Sequence, residues 1–203
     1  WNVPRSAGTD MSGGPLHDSI IVDMTAHLNK LVELGAAGDG KEGWAVVEPG
    51  MYFRDFDKET KKKNLELPSY TASREINTVG GMAANNSGGE KNLKYGKTAR
   101  WAEVLDVVLS DAQVHTLKKM EGSELAAKLA EQNFEGDIYR KVSQLVAAHT
   151  QVIADAAPKV EKNSSGYALW DIGDGKTSLN LARLMVGAQG TLGIITKIRY
   201  GLV

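Results

Sequence analysis

Three clusters of glycine constrain this chain more than any other feature of its sequence. They lie within residues 5–14, 78–89 and 187–196. Glycine lets the backbone take positive φ angles, and it lets peptide N–H groups approach an anion with no Cβ in the way. The clusters therefore predict main chain that closes around a large ligand, and a diphosphate would suit such a surface.

The composition limits the class of partner. The chain has 203 residues with 42% hydrophobic content, which is enough for one or two domains with a buried core. A net charge of −1 gives no broad positive field, so we expect no nucleic-acid partner. No apolar run reaches about 18 residues, which predicts that the chain has no transmembrane segment. We expect a cytoplasmic location, and any attachment to a membrane surface would come from regions of the protein outside this chain.

Strand patterns dominate the first quarter of the chain. Residues 19–24 and 44–48 have the short apolar runs of buried strands, and a weak segment at 28–34 and a Gly/Asp loop at 35–43 separate them. We expect these two strands to form one long hairpin. A helix is predicted at 52–64, with a solvated lysine end and with three residues toward the core, Phe53, Phe56 and Thr60.

The second half mixes both kinds of element. Strands at 104–109 and 114–117 are predicted to pair, and His115 in their alternation is interpreted as structural. One helix is predicted over 137–156, with His149 as a hydrogen-bonded packing residue beside an apolar stripe of Ile138, Val142, Leu145, Val146, Val152 and Ile153. A short helix at 179–186 and a terminal strand at 191–203 follow.

Familiar site motifs are missing from the sequence. It has no G-x-G-x-x-G fingerprint after a strand, no Walker loop, no G-x-S-x-G elbow and no H-E-x-x-H pair. Cysteine is absent, and the four histidines are far apart in the sequence, so we predict no metal site. The glycine clusters could still be plain tight turns, or they could bind phosphate through another architecture.

Taken in order, the three clusters resemble the FAD-binding domain of the vanillyl-alcohol oxidase or p-cresol methylhydroxylase (PCMH) type, above all the branch of D-lactate dehydrogenases and glycolate oxidases. The first cluster, 5–14, resembles the pyrophosphate loop of that family, with Ser6 and Asp10 in place of a usual Gly and Ser. The second resembles its Thr-Ile-Gly-Gly segment. The third, at 184–196, resembles its Gly-Ser-Glu-Gly-Thr-Leu-Gly-Ile signature, with Ala188 and Gln189 in place of Ser and Glu.

The resemblance implies an α+β fold of the PCMH type with two α/β subdomains, which we place at 1–100 and 101–203. Relative to the family, the N-terminal part is expected to be incomplete and the C-terminal substrate cap absent. The family pattern implies noncovalent FAD, because Thr9 stands where covalent members often have His and the chain has no Cys. The implied FAD contacts are Arg5, Ser6, Ala7, Gly8, Thr9, Asp10, Met11, Ser12, Ser73, Thr78, Gly80, Gly81, Ala84, Asn85, Ser87, Gly88, Gly193, Ile194 and Ile195.

The function implied by the family is oxidation of a D-2-hydroxy acid such as lactate or glycolate, with hydride transfer to flavin N5. The substrate would be bound mainly by the cap, so we assign no catalytic residue, and we expect this chain alone to be inactive. The electron acceptor is not readable from the sequence. The alternative is a non-catalytic binding or assembly domain that keeps the fold and has lost flavin, as the substitutions at Ser6, Asp10, Ala188 and Gln189 could permit.

Overall fold

The computed structural model describes residues 2–36, 42–160 and 163–203. Within these ranges strands and helices are interspersed, which confirms the mixed α and β class. The strands are β1 (Asn2–Arg5), β2 (Ile20–Asp23), β3 (Leu31–Ala36), β4 (Gly43–Val47), β5 (Ala102–Val108), β6 (Val114–Glu121), β7 (Ser178–Asn180) and β8 (Ile194–Leu202). The helices are α1 (Met24–His27), α2 (Phe53–Lys61), α3 (Val79–Ala84), α4 (Asn92–Tyr95), α5 (Gly122–Ala130), α6 (Phe134–Ala148), α7 (Thr150–Ala156) and α8 (Leu181–Met185).

Six of the strands form one sheet in the order β3-β4-β8-β5-β6-β7, and every neighbouring pair is antiparallel. The C-terminal strand β8 lies between β4 and β5, so the last strand of the chain is in the middle of the sheet. The remaining strands, β1 and β2, form a separate parallel pair. The division into subdomains 1–100 and 101–203 stays a prediction, and the hydrogen bonds between β4 and β8 cross its boundary.

The long hairpin predicted between residues 19–24 and 44–48 is wrong. β2 pairs in parallel with β1, and β4 pairs with β3 and β8. The segment judged weak, 28–34, contains the first four residues of β3. β3 has a bulge between Leu31 and Glu33, and such a bulge obscures the alternation on which a strand prediction depends. Of the predicted loop, 37–41 lie outside the described residues, while Gly35, Ala36 and Gly43 belong to β3 and β4.

Helix α2 packs its predicted face onto the sheet. Phe53, Phe56 and Thr60 are buried, as predicted, and the Phe56 ring lies 6.5 Å from the ring of Tyr200 in β8. The Tyr200 hydroxyl donates a 2.8 Å hydrogen bond to the carbonyl of Val79 at the start of α3. This contact fixes α3 against the central strand of the sheet, and α3 carries the second glycine cluster.

The predicted strand pair is confirmed as β5 and β6, with Val107 opposite His115. His115 shares its two ring nitrogens between Asp111, at 2.9 Å, and Glu135, at 3.3 Å. Glu135 also pairs with Lys128, 3.2 Å away. The network joins the turn after β5 to α6, which is consistent with a structural role for His115.

The single helix predicted over 137–156 is wrong in one respect, because His149 divides it into α6 and α7. The His149 backbone has φ −118° and ψ 22°, outside the helical range. His149 is exposed, so the prediction that it is a packing residue is wrong. Leu145 and Val152 of the predicted apolar stripe are also exposed. Helix α6 begins earlier than predicted because the Asn133 side chain accepts a hydrogen bond from the Gly136 N–H.

Across the described parts of the chain, none of the helices is both long and apolar enough to span a bilayer.

The core predicts a large difference between two leucine substitutions. Leu105 on β5 is fully buried, and Leu93 on α4 is 85% exposed. Leu105→Ala is expected to lower the free energy of unfolding by about 2–5 kcal/mol, because it leaves a cavity beside the central strand. Leu93→Ala, the matched control, should change it by less than about 0.5 kcal/mol. Urea unfolding measures both, and equal effects would contradict the described burial.

The His115 network predicts a pH dependence of stability. Burial lowers the pKa of His115, but the hydrogen bonds to Asp111 and Glu135 outweigh burial and hold that pKa above its usual 6.5. The stabilisation is therefore fully present below pH 6.5 and is lost as the pH rises through the raised pKa. Urea unfolding between about pH 6 and about pH 9 should show the wild-type free energy of unfolding falling, with a flatter profile for His115→Gln. Parallel profiles for the two proteins would exclude this role for His115.

Candidate functional site

One cleft lies where the β1–β2 pair, helix α3 and the start of β8 come together. Its lining comes from all three glycine clusters and from the elements that carry them. The lining residues are Val3, Pro4, Ser6, Gly8, Thr9, Asp10, Gly14, Pro15, Met24, Pro49, Gly80, Gly81, Ala84, Asn85, Met185, Gln189, Gly190, Gly193 and Ile195. The wall is thus made mostly of small side chains and exposed main chain.

The first wall of the cleft is the loop 6–14, which follows β1. Gly8 and Gly13 have φ angles of +70° and +75°, a region that residues other than glycine rarely adopt. A Cβ on Gly8 would lie 2.8 Å from the Arg5 guanidinium, so this side chain packs directly against the loop. The Arg5 Nε atom is buried and has no hydrogen-bond partner among the described residues.

Asp10 organises the far end of the same loop. Its carboxylate accepts hydrogen bonds from the Ser12 hydroxyl at 2.7 Å, the Gly14 N–H at 3.1 Å and the Ser12 N–H at 3.3 Å. The Ser12 hydroxyl and these two amides hold the pKa of Asp10 below its usual value of 3.8. Asp10 is therefore ionised at neutral pH.

Helix α3 forms the second wall. Thr78 caps it by accepting a 3.2 Å hydrogen bond from the Gly81 N–H. Gly80 packs on Pro49 so closely that a Cβ there would lie 2.3 Å from the proline Cβ. Gly81 has more room, because an added Cβ would be 3.4 Å from Ser6, its nearest neighbour across the cleft.

The third wall is held to the end of α3 by main-chain hydrogen bonds. The Gly187 N–H donates to the Ala83 carbonyl at 2.9 Å, and the Gln189 N–H donates to the Ala84 carbonyl at 3.1 Å. Gly190, with φ +79°, approaches β1, where an added Cβ would lie 2.6 Å from Pro4. The third cluster thus contacts the elements that carry the other two.

The structure brings about half of the predicted site residues to the cleft. Those in its lining are Ser6, Gly8, Thr9, Asp10, Gly80, Gly81, Ala84, Asn85, Gly193 and Ile195. Those outside its lining are Arg5, Ala7, Met11, Ser12, Ser73, Thr78, Ser87, Gly88 and Ile194. Several of the second group have other contacts instead.

Three residues of the second group contact residues outside the cleft. The Ser73 hydroxyl lies 2.9 Å from that of Thr71, and the Ser87 carbonyl accepts hydrogen bonds from both the N–H and the hydroxyl of Thr98. Gly88 lies against Asn92, whose Oδ1 would be 2.4 Å from an added Cβ. Met11 projects fully into solvent.

Sequence reasoning missed several residues of the lining. Gly14, Gln189 and Gly190 lie inside the glycine clusters, so the clusters themselves carried the signal. The others were not predicted to contact the cofactor, although Met185 lies within the signature at 184–196; they are Val3, Pro4, Pro15, Met24, Pro49 and Met185.

Comparison with known proteins identifies the kind of domain that carries this cleft. A protein-family profile described as an FAD binding domain matches residues 2–118, more than half of the chain. The solved structure of alkyldihydroxyacetonephosphate synthase superposes with a TM-score of 0.60 at 18% sequence identity. That match covers 100% of this chain and 29% of the synthase chain, and at this identity it supports the fold alone.

Curated relatives cover nearly the whole chain. D-2-hydroxyglutarate dehydrogenase of Escherichia coli K12 is 31% identical over 98% of the chain and 19% of the dehydrogenase. Glycolate oxidase subunit GlcD of Bacillus subtilis 168 is 29% identical over 99% of the chain and 31% of the subunit. D-lactate dehydrogenase of Archaeoglobus fulgidus is 27% identical over 95% of the chain and 31% of that enzyme. The chain therefore spans about a fifth to a third of the length of these relatives, and it belongs to the FAD-binding domain family.

Proposed function

We propose that this chain is the FAD-binding portion of a flavin-dependent oxidoreductase that oxidises a D-2-hydroxy acid. The observation that carries the proposal is the single cleft lined by all three glycine clusters. The named relatives supply the substrate class, because they are D-2-hydroxyglutarate and D-lactate dehydrogenases and a glycolate oxidase subunit. Lactate, glycolate and 2-hydroxyglutarate share a carboxylate beside the carbon that bears the hydroxyl group, and this shared group defines the proposed substrate class.

The residues of the cleft fit a dinucleotide. Gly8 and Gly190 line the cleft with positive φ angles, and neither has a side chain that would keep a ligand from the main chain. The buried Arg5 Nε, which has no partner within the described residues, leaves a cationic group beside the loop to attract a diphosphate. FAD is the cofactor, and noncovalent binding is consistent with the family and with a chain that has no cysteine.

The proposed roles divide between contact and support. Loop 6–14 would hold the diphosphate through main-chain amides, and Gly81, Ala84 and Asn85 would border the cofactor along α3. Gly193 and Ile195 would contact it from the start of β8. Thr78 acts indirectly, because it fixes the first turn of α3. The bound flavin would supply the electron-accepting group, while this chain positions it and excludes water around it.

The alternative of a domain that has lost flavin is not supported by the comparisons, since the family and the relatives belong to FAD-linked oxidoreductases. A cytoplasmic location and inactivity of the 203-residue chain on its own remain parts of the proposal. No residue of the chain is assigned as the catalytic base.

Two neighbouring glycines test the cofactor site. Gly80→Ala is expected to lower the free energy of unfolding by about 1–3 kcal/mol, because its Cβ collides with Pro49. Gly81→Ala, the matched control for stability, should leave stability unchanged or raise it by up to about 1 kcal/mol, since the new Cβ would come no nearer than 3.4 Å to Ser6 and Thr78. Urea unfolding measures both values.

Gly81→Ala also tests FAD binding in a protein whose stability is expected to be retained. Because Gly81 lines the cleft, Gly81→Ala should weaken FAD binding by about tenfold or more, which corresponds to the cost of an overpacked contact. Quenching of flavin fluorescence gives the dissociation constant. A Gly81→Ala protein that is stable and binds FAD as tightly as wild type would place the cofactor elsewhere.

Substrate class is tested on the full-length gene product that carries this chain. After reconstitution with FAD, anaerobic addition of D-2-hydroxyglutarate, D-lactate or glycolate should bleach the visible flavin band for at least one of them. The L isomers of the two chiral acids are the matched controls, and they should leave the band unchanged. Bleaching by none of the three acids, in a protein that retains FAD, would refute the hydroxy-acid proposal.

A further inference from the structure

Asp10 lies where the loop 6–14 would offer amides to a phosphate. The Gly14 N–H and the Ser12 N–H both point to its carboxylate, at 3.1 and 3.3 Å, and the Ser12 hydroxyl donates to it at 2.7 Å. Gly13, between the two amides, has φ +75°, and its own N–H donates to the main-chain carbonyl of Asp10 at 3.4 Å. Main-chain amides of a loop can bind an anion, and here the anion that the amides of Ser12 and Gly14 bind belongs to the protein itself.

The charge of the residues that line the cleft determines how this arrangement affects the binding of an anion. Among the described residues that line the cleft, Asp10 is the one with a charged side chain, and its charge is negative. No Lys, Arg or His of the described chain forms a salt bridge with it within 4.0 Å. Arg5 packs at the opposite end of the loop, against Gly8. A diphosphate entering the cleft thus meets a carboxylate that already accepts hydrogen bonds from the amide of Gly14, which lines the cleft, and from the amide of Ser12, which lies just outside the lining.

We propose that Asp10 competes internally with the FAD diphosphate: its carboxylate occupies the amides of Ser12 and Gly14 and thereby sets the affinity of this chain for its cofactor. Binding requires either that the carboxylate release these amides or that the diphosphate bind beside a like charge. Both routes weaken binding. The inference rests on FAD as the ligand and is independent of the substrate.

Two substitutions separate the two routes. Asp10→Asn removes the charge and keeps an oxygen that can accept from the amides, whereas Asp10→Ser removes the charge and frees at least one amide. Each variant should bind FAD at least about fivefold more tightly than wild type at low ionic strength, because even in water a like charge at about 4 Å costs that factor. The gain from Asp10→Ser should equal or exceed the gain from Asp10→Asn.

The control variant is Asp18→Asn. The Asp18 side chain is 99% exposed and does not line the cleft, yet its substitution changes the net charge by the same amount. It should leave FAD affinity unchanged. Thermal unfolding of each protein verifies that the variants are folded at the temperature of the titration.

The ligand itself provides a second control. Riboflavin carries the isoalloxazine ring and no phosphate, so its affinity should be the same for wild type and for both Asp10 variants. Raising the ionic strength from about 0.02 to about 0.5 M should narrow the difference in FAD affinity between wild type and Asp10→Asn, because salt screens the repulsion.

Each outcome of the titrations either supports or overturns the proposal. The proposal is supported if the Asp10 variants bind FAD more tightly than wild type, while riboflavin affinity and the FAD affinity of Asp18→Asn stay unchanged. The same holds if the variants bind FAD measurably and wild type binds it too weakly to measure. Equal or weaker FAD binding by both variants overturns it, as does an equal gain from Asp18→Asn. The titration uses no hydroxy acid, so a protein that follows this pattern but oxidises none would refute the proposed function alone.

Discussion

The cleft depends on main-chain contact between segments that are about a hundred residues apart in sequence. The N–H groups of Gly187 and Gln189 donate to carbonyls in the last turn of α3, those of Ala83 and Ala84. The Ala83 carbonyl also accepts from the Asn86 N–H at 3.0 Å. A helix end buried without such partners would be costly. The third glycine cluster therefore supplies partners for the end of α3, and these main-chain hydrogen bonds hold the two walls of the cleft together.

Close approach of backbones explains why glycine is needed at particular places. Gly80 contacts Pro49, and a Cβ on Gly50 would lie 2.0 Å from the carbonyl oxygen of Met24. These two contacts place α1, the turn after β4 and α3 at distances that a larger residue would not permit. The β1–β2 pair is thereby set over α3, although it shares no strand with the large sheet. Glycine here shapes the cleft by packing as well as by direct exposure of amides.

Much of this arrangement could be predicted from the sequence where the signal is local. The core face of α2 and the pairing of β5 with β6 follow from periodicity, and the meeting of the three clusters follows from the order of the family motifs. The partner of β4 could not be predicted, because pairing depends on β3, whose alternation a bulge interrupts at Leu31. The exposure of His149 could not be predicted either. The break between α6 and α7 is a change in the backbone angles of His149, and no proline or glycine marks this break in the sequence.

The same distinction applies within the cleft. Motif matching identifies which main chain approaches a ligand, but it does not tell which groups satisfy that main chain before the ligand arrives. Arg5 and Asp10 show the difference, because both lie in the loop motif and only their contacts separate them. The buried Nε donor of Arg5 has no partner in the described chain, whereas the carboxylate of Asp10 already accepts hydrogen bonds from the amides of Ser12 and Gly14. In a loop of this kind, glycine determines the backbone conformation, and the few charged groups around the loop determine its affinity for an anion. The match of the glycines to the family therefore indicates the type of cofactor, while the strength of cofactor binding depends on residues such as Asp10.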